Sequence, residues 1–87
     1  MLHTILRLPA TKSQSGQSRS TIYLRMEQGL WTKQIKLGPR AIGWPANEVA
    51  ALIIARISGQ SDDEIRDLVK SLHTQRKGLN VALGVQQ

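Results

Sequence analysis

The sequence predicts a mainly α-helical domain with one small β-hairpin, and three observations predict it. Apolar residues recur three and four positions apart over 22–30, 49–57 and 65–72, the spacing that lines one face of a helix. Between the first two stretches, residues 34–44 alternate at a spacing of two around Gly38-Pro39-Arg40, which reads as two strands and a turn. The chain has 87 residues, room for one domain and one modest core.

Each element has its own local warrant. Residues 2–8, Leu-His-Thr-Ile-Leu-Arg-Leu, read as extended and half-buried, and Pro9 ends them. Residues 10–20 have the composition of a linker; they also suit a short helix over 10–15 stopped by Gly16, and local signals leave both readings open. Ser18 is a good N-cap, because its hydroxyl can accept an orphan backbone N–H of a first helical turn. Ile22, Met26 and Leu30 then share one stripe, and Gly29 suits the left-handed position just past a helix end, so a helix runs from Arg19 to Gln28. In the hairpin, Ile35 and Leu37 take the apolar side that Ile42 and Trp44 resume, while Lys33, Lys36 and Arg40 point outward.

Pro45 closes the hairpin and opens a helix whose Glu48 lies in the first turn, where the helix dipole favours an acid. Val49, Leu52, Ile53 and Ile57 form its buried stripe, and Gly59 ends it. Ser61-Asp62-Asp63-Glu64 is a capping box that opens a second helix with Ile65, Leu68, Val69 and Leu72 on one face. Asp62 and Arg66 are spaced to pair, Arg76 and Lys77 stand at a helix end that favours cations, and Gly78 stops the helix. The expected domain is 1–77, with 78–87 a flexible tail. A helix pair followed by a two-stranded wing is a winged helix-turn-helix, here followed by two C-terminal helices.

Charge says what such a domain faces. Residues 1–44 hold seven bases and one acid, Glu27, while residues 45–87 hold five of each, so the whole net charge of +6 lies in the first half. That is the pattern of a polyanion-facing module on a neutral support. The chain has no cysteine, which excludes a zinc finger and a thiol enzyme. The longest apolar helical stretch, 49–57, falls well short of the roughly 20 residues that span a bilayer, and residues 1–9 lack the features of a leader; a cytoplasmic protein is expected. His3 and His73 have no metal-ligand partner at a useful spacing, no Gly-rich phosphate loop is present, and no Ser-His-Asp set has a supporting context. Neither an enzyme nor a cofactor or metal is expected. Trp44 reads as packing, with Trp31 less determined between packing and base stacking.

The densest polar constellation is Gly16-Gln17-Ser18-Arg19-Ser20-Thr21-Ile22-Tyr23. Gly16 permits a tight turn between two helices. Free N–H groups and the positive dipole end attract phosphate at the following helix start. Arg19 can bind guanine in bidentate fashion or a phosphate, and the hydroxyls of Ser18, Ser20 and Thr21 can bond base edges or phosphates. Arg25 extends the basic face. A plain polar helix start with a good cap is the other reading of these residues.

Residues 6–57 resemble the AlpA family of prophage regulatory proteins, related to phage excisionases and to DNA-binding domains of the MerR type. The resemblance rests on Leu6-Arg7-Leu8-Pro9, on Gly16 with Ser18-Arg19-Ser20-Thr21-Ile22-Tyr23, on Gly29-Leu30-Trp31 with Lys33, on Ile35-Lys36-Leu37-Gly38, on Arg40-Ala41-Ile42-Gly43-Trp44-Pro45 with Glu48-Val49, and on Ala55-Arg56-Ile57. It implies a sequence-specific binder of double-stranded DNA that regulates transcription on a prophage or integrated element, or acts as an excisionase. The implied contacts are Ser18, Arg19, Ser20, Thr21, Tyr23 and Arg25 on the recognition helix and Lys33, Lys36 and Arg40 on the wing. The implied partners are DNA and, on the protein side, an integrase or RNA polymerase. The sequence departs from the family at 11–17, Thr-Lys-Ser-Gln-Ser-Gly-Gln, where the family usually has apolar residues, which leaves a first helix that is short, loosely docked or formed only on DNA. Thr32 or Gln34 stands at the position after the wing's start where the family often has proline.

A second function class fits the same composition: a protein-interaction module whose basic face docks an acidic regulator or integrase without reading bases. The 61–76 helix could also form a homodimer through Ile65, Leu68 and Leu72, although packing on the 46–58 helix is the favoured use of that stripe. RNA binding finds no recognised module.

Overall fold

A computed structural model describes residues 3–82 of the chain. In order, the elements are strand β1 (Ile5–Arg7), helices α1 (Leu8–Ser15) and α2 (Arg19–Glu27), strands β2 (Ile35–Gly38) and β3 (Ala41–Pro45), and helices α3 (Ala46–Ile57) and α4 (Asp62–Ala82). The strands form one antiparallel sheet in the order β1-β3-β2. The expected mainly α fold is present, a winged helix-turn-helix layout followed by two helices, with β1 added to the hairpin as a third strand.

The first helix forms without apolar residues at 11–17. Its strand neighbour stops at Arg7, so Pro9 belongs to the first helical turn, where its missing N–H costs nothing. The helix therefore starts at Leu8, earlier than expected. Thr11 is fully buried, and its hydroxyl donates to the Arg7 carbonyl at 3.1 Å. The Ser15 hydroxyl donates to the Thr11 carbonyl at 2.7 Å. Gly16 stops the helix at φ +69°, with its N–H on the Lys12 carbonyl. A buried threonine thus anchors this helix where an aliphatic residue was expected to be needed.

The core sits between α2, the sheet, α3 and α4, with Ile22, Trp44, Val49, Leu52 and Ile65 at its centre. Both tryptophans are buried. The Trp44 indole N–H donates to the Thr32 carbonyl at 3.0 Å. Neither ring is available as a stacking platform.

The wing's register differs from the expected alternation. Ile35 pairs with Gly43 and Lys36 with Ile42, and a bulge at Leu37 precedes the Gly38–Ala41 pair. Directly opposed residues share a face, so Lys36 lies on the face of Ile42 and Trp44. Ile35 and Leu37 lie on the other face, with Ile5. Gly43 fixes this arrangement: an added Cβ would stand 2.6 Å from Ile5 Cγ2 and 2.8 Å from the Leu6 carbonyl oxygen. The close approach of β1 to β3 requires a residue with no side chain at this position.

Three helical expectations are also corrected. In α3 the buried face is Glu48, Val49, Leu52 and Ala55, and Ile57 is 80% exposed. Val49 and Leu52 are buried and Ile53 packs on the core as expected, while Glu48, read as a first-turn acid favoured by the dipole, is buried and paired with Arg76. In α4 the capping box is present, with the Ser61 N–H on Glu64 Oε1 and the Glu64 N–H on the Ser61 hydroxyl. Asp62, however, pairs with Arg56, and Arg66 pairs with Asp63. The helix passes through Gly78 and runs to Ala82, so Arg76 stands well inside it; of the expected tail, 83–87 lies outside the described residues. The stripe offered for a homodimer packs within the chain: Ile65 and Leu72 are buried in the common core, and the partly buried Leu68 packs against it. Among the described residues no helix is long and apolar enough to cross a membrane.

Candidate nucleic-acid interface

The start of α2 is organised by hydroxyls. Ser18 caps it, accepting the Thr21 N–H at 3.2 Å. The Ser18 hydroxyl also bonds the Thr21 hydroxyl at 2.9 Å and lies 3.3 Å from that of Ser20. This cluster fixes the first turn and leaves the remaining N–H groups of the helix end pointing outward. Arg19 stands over the Tyr23 ring, its guanidinium carbon 5.5 Å from the ring centre, which orients the cation along the helix.

Between this helix start and the wing lies an open cleft of about 620 Å³. Arg7, Arg19, Lys36 and Arg40 line it with Tyr23 and Gln34, and no acidic side chain does. Four cations around one concavity make a site that concentrates and orients anions. The corrected register brings Lys36 here: its position opposite Ile42 turns it toward α2, where the expected alternation pointed it away.

Four of the nine expected contact residues line the cleft: Arg19, Tyr23, Lys36 and Arg40. Ser18, Ser20 and Thr21 form the hydroxyl cluster at the start of α2. Arg25 stands apart, with its Nε buried and without a hydrogen-bond partner. Lys33 also stands apart. Its N–H donates to His73 Nε2 at 3.0 Å, its carbonyl accepts from Arg76 Nη2 at 2.7 Å, and its side chain borders a separate hollow with Arg66, Lys70 and His73. Arg7 is the cleft residue that sequence reasoning missed. It sits in a strand read as half-buried, and its signals were its share in the basic first half and its place in the Leu6-Arg7-Leu8-Pro9 motif.

α4 holds the two walls of the cleft in place. Arg66 Nε donates to the Gln28 carbonyl at the end of α2, at 2.9 Å. His73 and Arg76 hold the segment that leads into the wing. Arg76 also grips Glu48, with Nε donating to Oε2 at 2.7 Å. Burial, then the neighbouring Arg76 charge, holds the His73 imidazole below its ordinary pKa. The neutral form is the one that can accept the Lys33 N–H.

Residues 4–57 match the family model described as Prophage CP4-57 regulatory protein (AlpA). A protein of Enterobacteria phage P4, described as uncharacterized protein ORF88, is 38% identical over 55 residues, which is 63% of this chain and 62% of that protein. The chain therefore matches less than two thirds of that relative's length. No solved structure matches.

Proposed function

The chain belongs to the AlpA family of prophage regulatory proteins, and from that premise we propose that it is a sequence-specific, double-stranded-DNA-binding transcriptional regulator of a prophage or integrated element. The observation that carries the reading is the acid-free cleft between the α2 start and the wing, lined by Arg7, Arg19, Lys36 and Arg40. α2 would lie in the major groove, as the recognition helix of other helix-turn-helix proteins does. The wing would hold the flanking backbone through Lys36 and Arg40, and Lys33 and Arg25 would meet phosphates outside the cleft. Phosphate contacts of this kind set position, and α2 supplies the sequence reading. An excisionase would use the same contacts, so the location of the bound site, at a promoter or at an attachment site, separates the two roles.

The experiment is selection from a pool of random duplexes at about 150 mM salt, followed by anisotropy on what is retained. An enriched motif bound well below the ~10⁻⁴–10⁻⁶ M of non-specific association is expected. Weak binding that varies with salt and not with sequence would refute the reading and favour a basic face that docks an acidic protein.

A further inference from the structure

The outward face of α2 carries two side chains that a purely phosphate-binding surface would not. Leu24 is 52% exposed. At about 100° per residue it points about 160° away from both Ile22 and Met26, which turn toward the core. It therefore lies on the face of α2 turned away from the core. One turn on, Glu27 is exposed. It is the only acid in residues 1–44 and makes no ion pair among the described residues. It also ends the helix, where the dipole disfavours a carboxylate. Neither residue packs in the core, and neither attracts phosphate.

Both have natural partners on base edges. In the major groove the apolar group on a base edge is the thymine methyl, and the natural partner of a carboxylate is the cytosine amino group. Leu24 and Glu27 are about 4.5 Å apart along the helix axis, close to the roughly 3.4 Å rise of one base-pair step. We propose that Leu24 and Glu27 form the base-reading stripe of α2, Leu24 against a thymine methyl and Glu27 against the amino group of a cytosine one or two pairs away. The inference rests on the DNA-binding function proposed above and adds the residues and bases that set its specificity.

The full chain, Leu24→Ala and Glu27→Gln are each taken through selection from the same random duplex pool. Both changes fall on exposed positions, and thermal melts check that each variant stays folded. The wild-type motif is expected to hold a thymine and a cytosine within two pairs. Replacing that thymine by deoxyuridine, which lacks only the methyl, should weaken wild-type binding about fourfold, the worth of one buried methylene-sized group. Leu24→Ala should bind the two duplexes alike. Glu27→Gln should move the preference from cytosine to adenine, the base a glutamine pairs with. A wild-type motif indifferent to the methyl overturns the inference and leaves the DNA-binding function standing. So does Glu27→Gln that gains affinity for all duplexes alike with its motif unchanged, as loss of a mere surface acid would produce. Failure of the wild type to enrich any motif overturns both.

Discussion

Arg76→Ala is expected to cost about 3–5 kcal/mol of stability, because it strands a buried carboxylate. The Glu48 side chain is 3% exposed and that of Arg76 is 23% exposed. Two guanidinium N–H groups serve the two carboxylate oxygens, and the Lys33 carbonyl accepts a further bond. An exposed pair would contribute about 0–1 kcal/mol; the burial of Glu48 is what raises the figure. A chain of this size has a total stability of about 4–13 kcal/mol, so the loss is a large share of it. At roughly 4–8 °C per kcal/mol for domains of this size, the melting temperature falls by about 12–40 °C. The opposite truncation is milder. Glu48→Ala leaves Arg76 bonded to the Lys33 carbonyl and able to reach water, so the loss is that of hydrogen bonds to a charged group, about 1.5–3 kcal/mol. The double variant should lie close to Glu48→Ala, since no charge is then stranded. Urea unfolding of the four proteins with a constant m-value is the assay. Arg76→Ala within about 1 kcal/mol of wild type, or equal losses from the two single variants, would refute the reasoning.

Further outcomes follow from the same geometry. Gly43→Ala should destabilise by about 1–3 kcal/mol, since the new Cβ meets the backbone of β1 as well as the Ile5 side chain; a melting temperature equal to wild type would show that β1 moves away without cost. Stability should fall as pH drops below the ordinary histidine pKa of 6.5 toward the lower folded value of His73, because the unfolded chain binds the proton more readily there. The contribution is complete above 6.5. His73→Gln should flatten that step in melts run between about pH 5 and 8, and an unchanged step would assign it elsewhere. Against a selected duplex, Lys36→Ala should lower the slope of log affinity against log salt by about 0.9, one phosphate's worth. Arg19→Ala should cost about 1–3 kcal/mol on that duplex if it reads a base; equal losses on all duplexes would make Arg19 a phosphate ligand instead.

Local chemistry made much of the fold legible. Ser18, the Ser61–Glu64 box and the left-handed Gly29 and Gly59 each act within a few residues, and each stands where its spacing placed it. The stripes of Ile22 and of Ile65, Val69 and Leu72 were legible because burial follows helical periodicity. What escaped depends on long-range partners. Glu48 and Arg76 are 28 residues apart, and nothing local tells a dipole-facing glutamate from one drawn inward. Helix α1 stayed open against a linker, although Gly16 marked its stop, because a buried threonine bonded to its own backbone carries no apolar signal. The wing's facing escaped because one bulge resets the alternation after Lys36, and β1, which pairs with β3 across more than thirty residues of chain, decides which face is inner. In the candidate site, the helix start was legible from its cap and charges. The cleft was not, since it joins Arg7 to Lys36 and Arg40 only in three dimensions.

The segment matched to the family ends at residue 57, yet Ile65, Val69 and Leu72 complete the core from beyond it. The ties that set α2 against the wing's approach also come from beyond it, through Arg66, His73 and Arg76. The matched segment is the jaw of the tool, and α4 is the screw that sets its gape. The two can vary separately. On the DNA-binding function proposed above, a chain with the same jaw and a different screw would keep its chemistry of contact while fitting a groove of another width, so changes confined to α4 would retune the DNA shape preferred while leaving the cleft's own side chains unchanged.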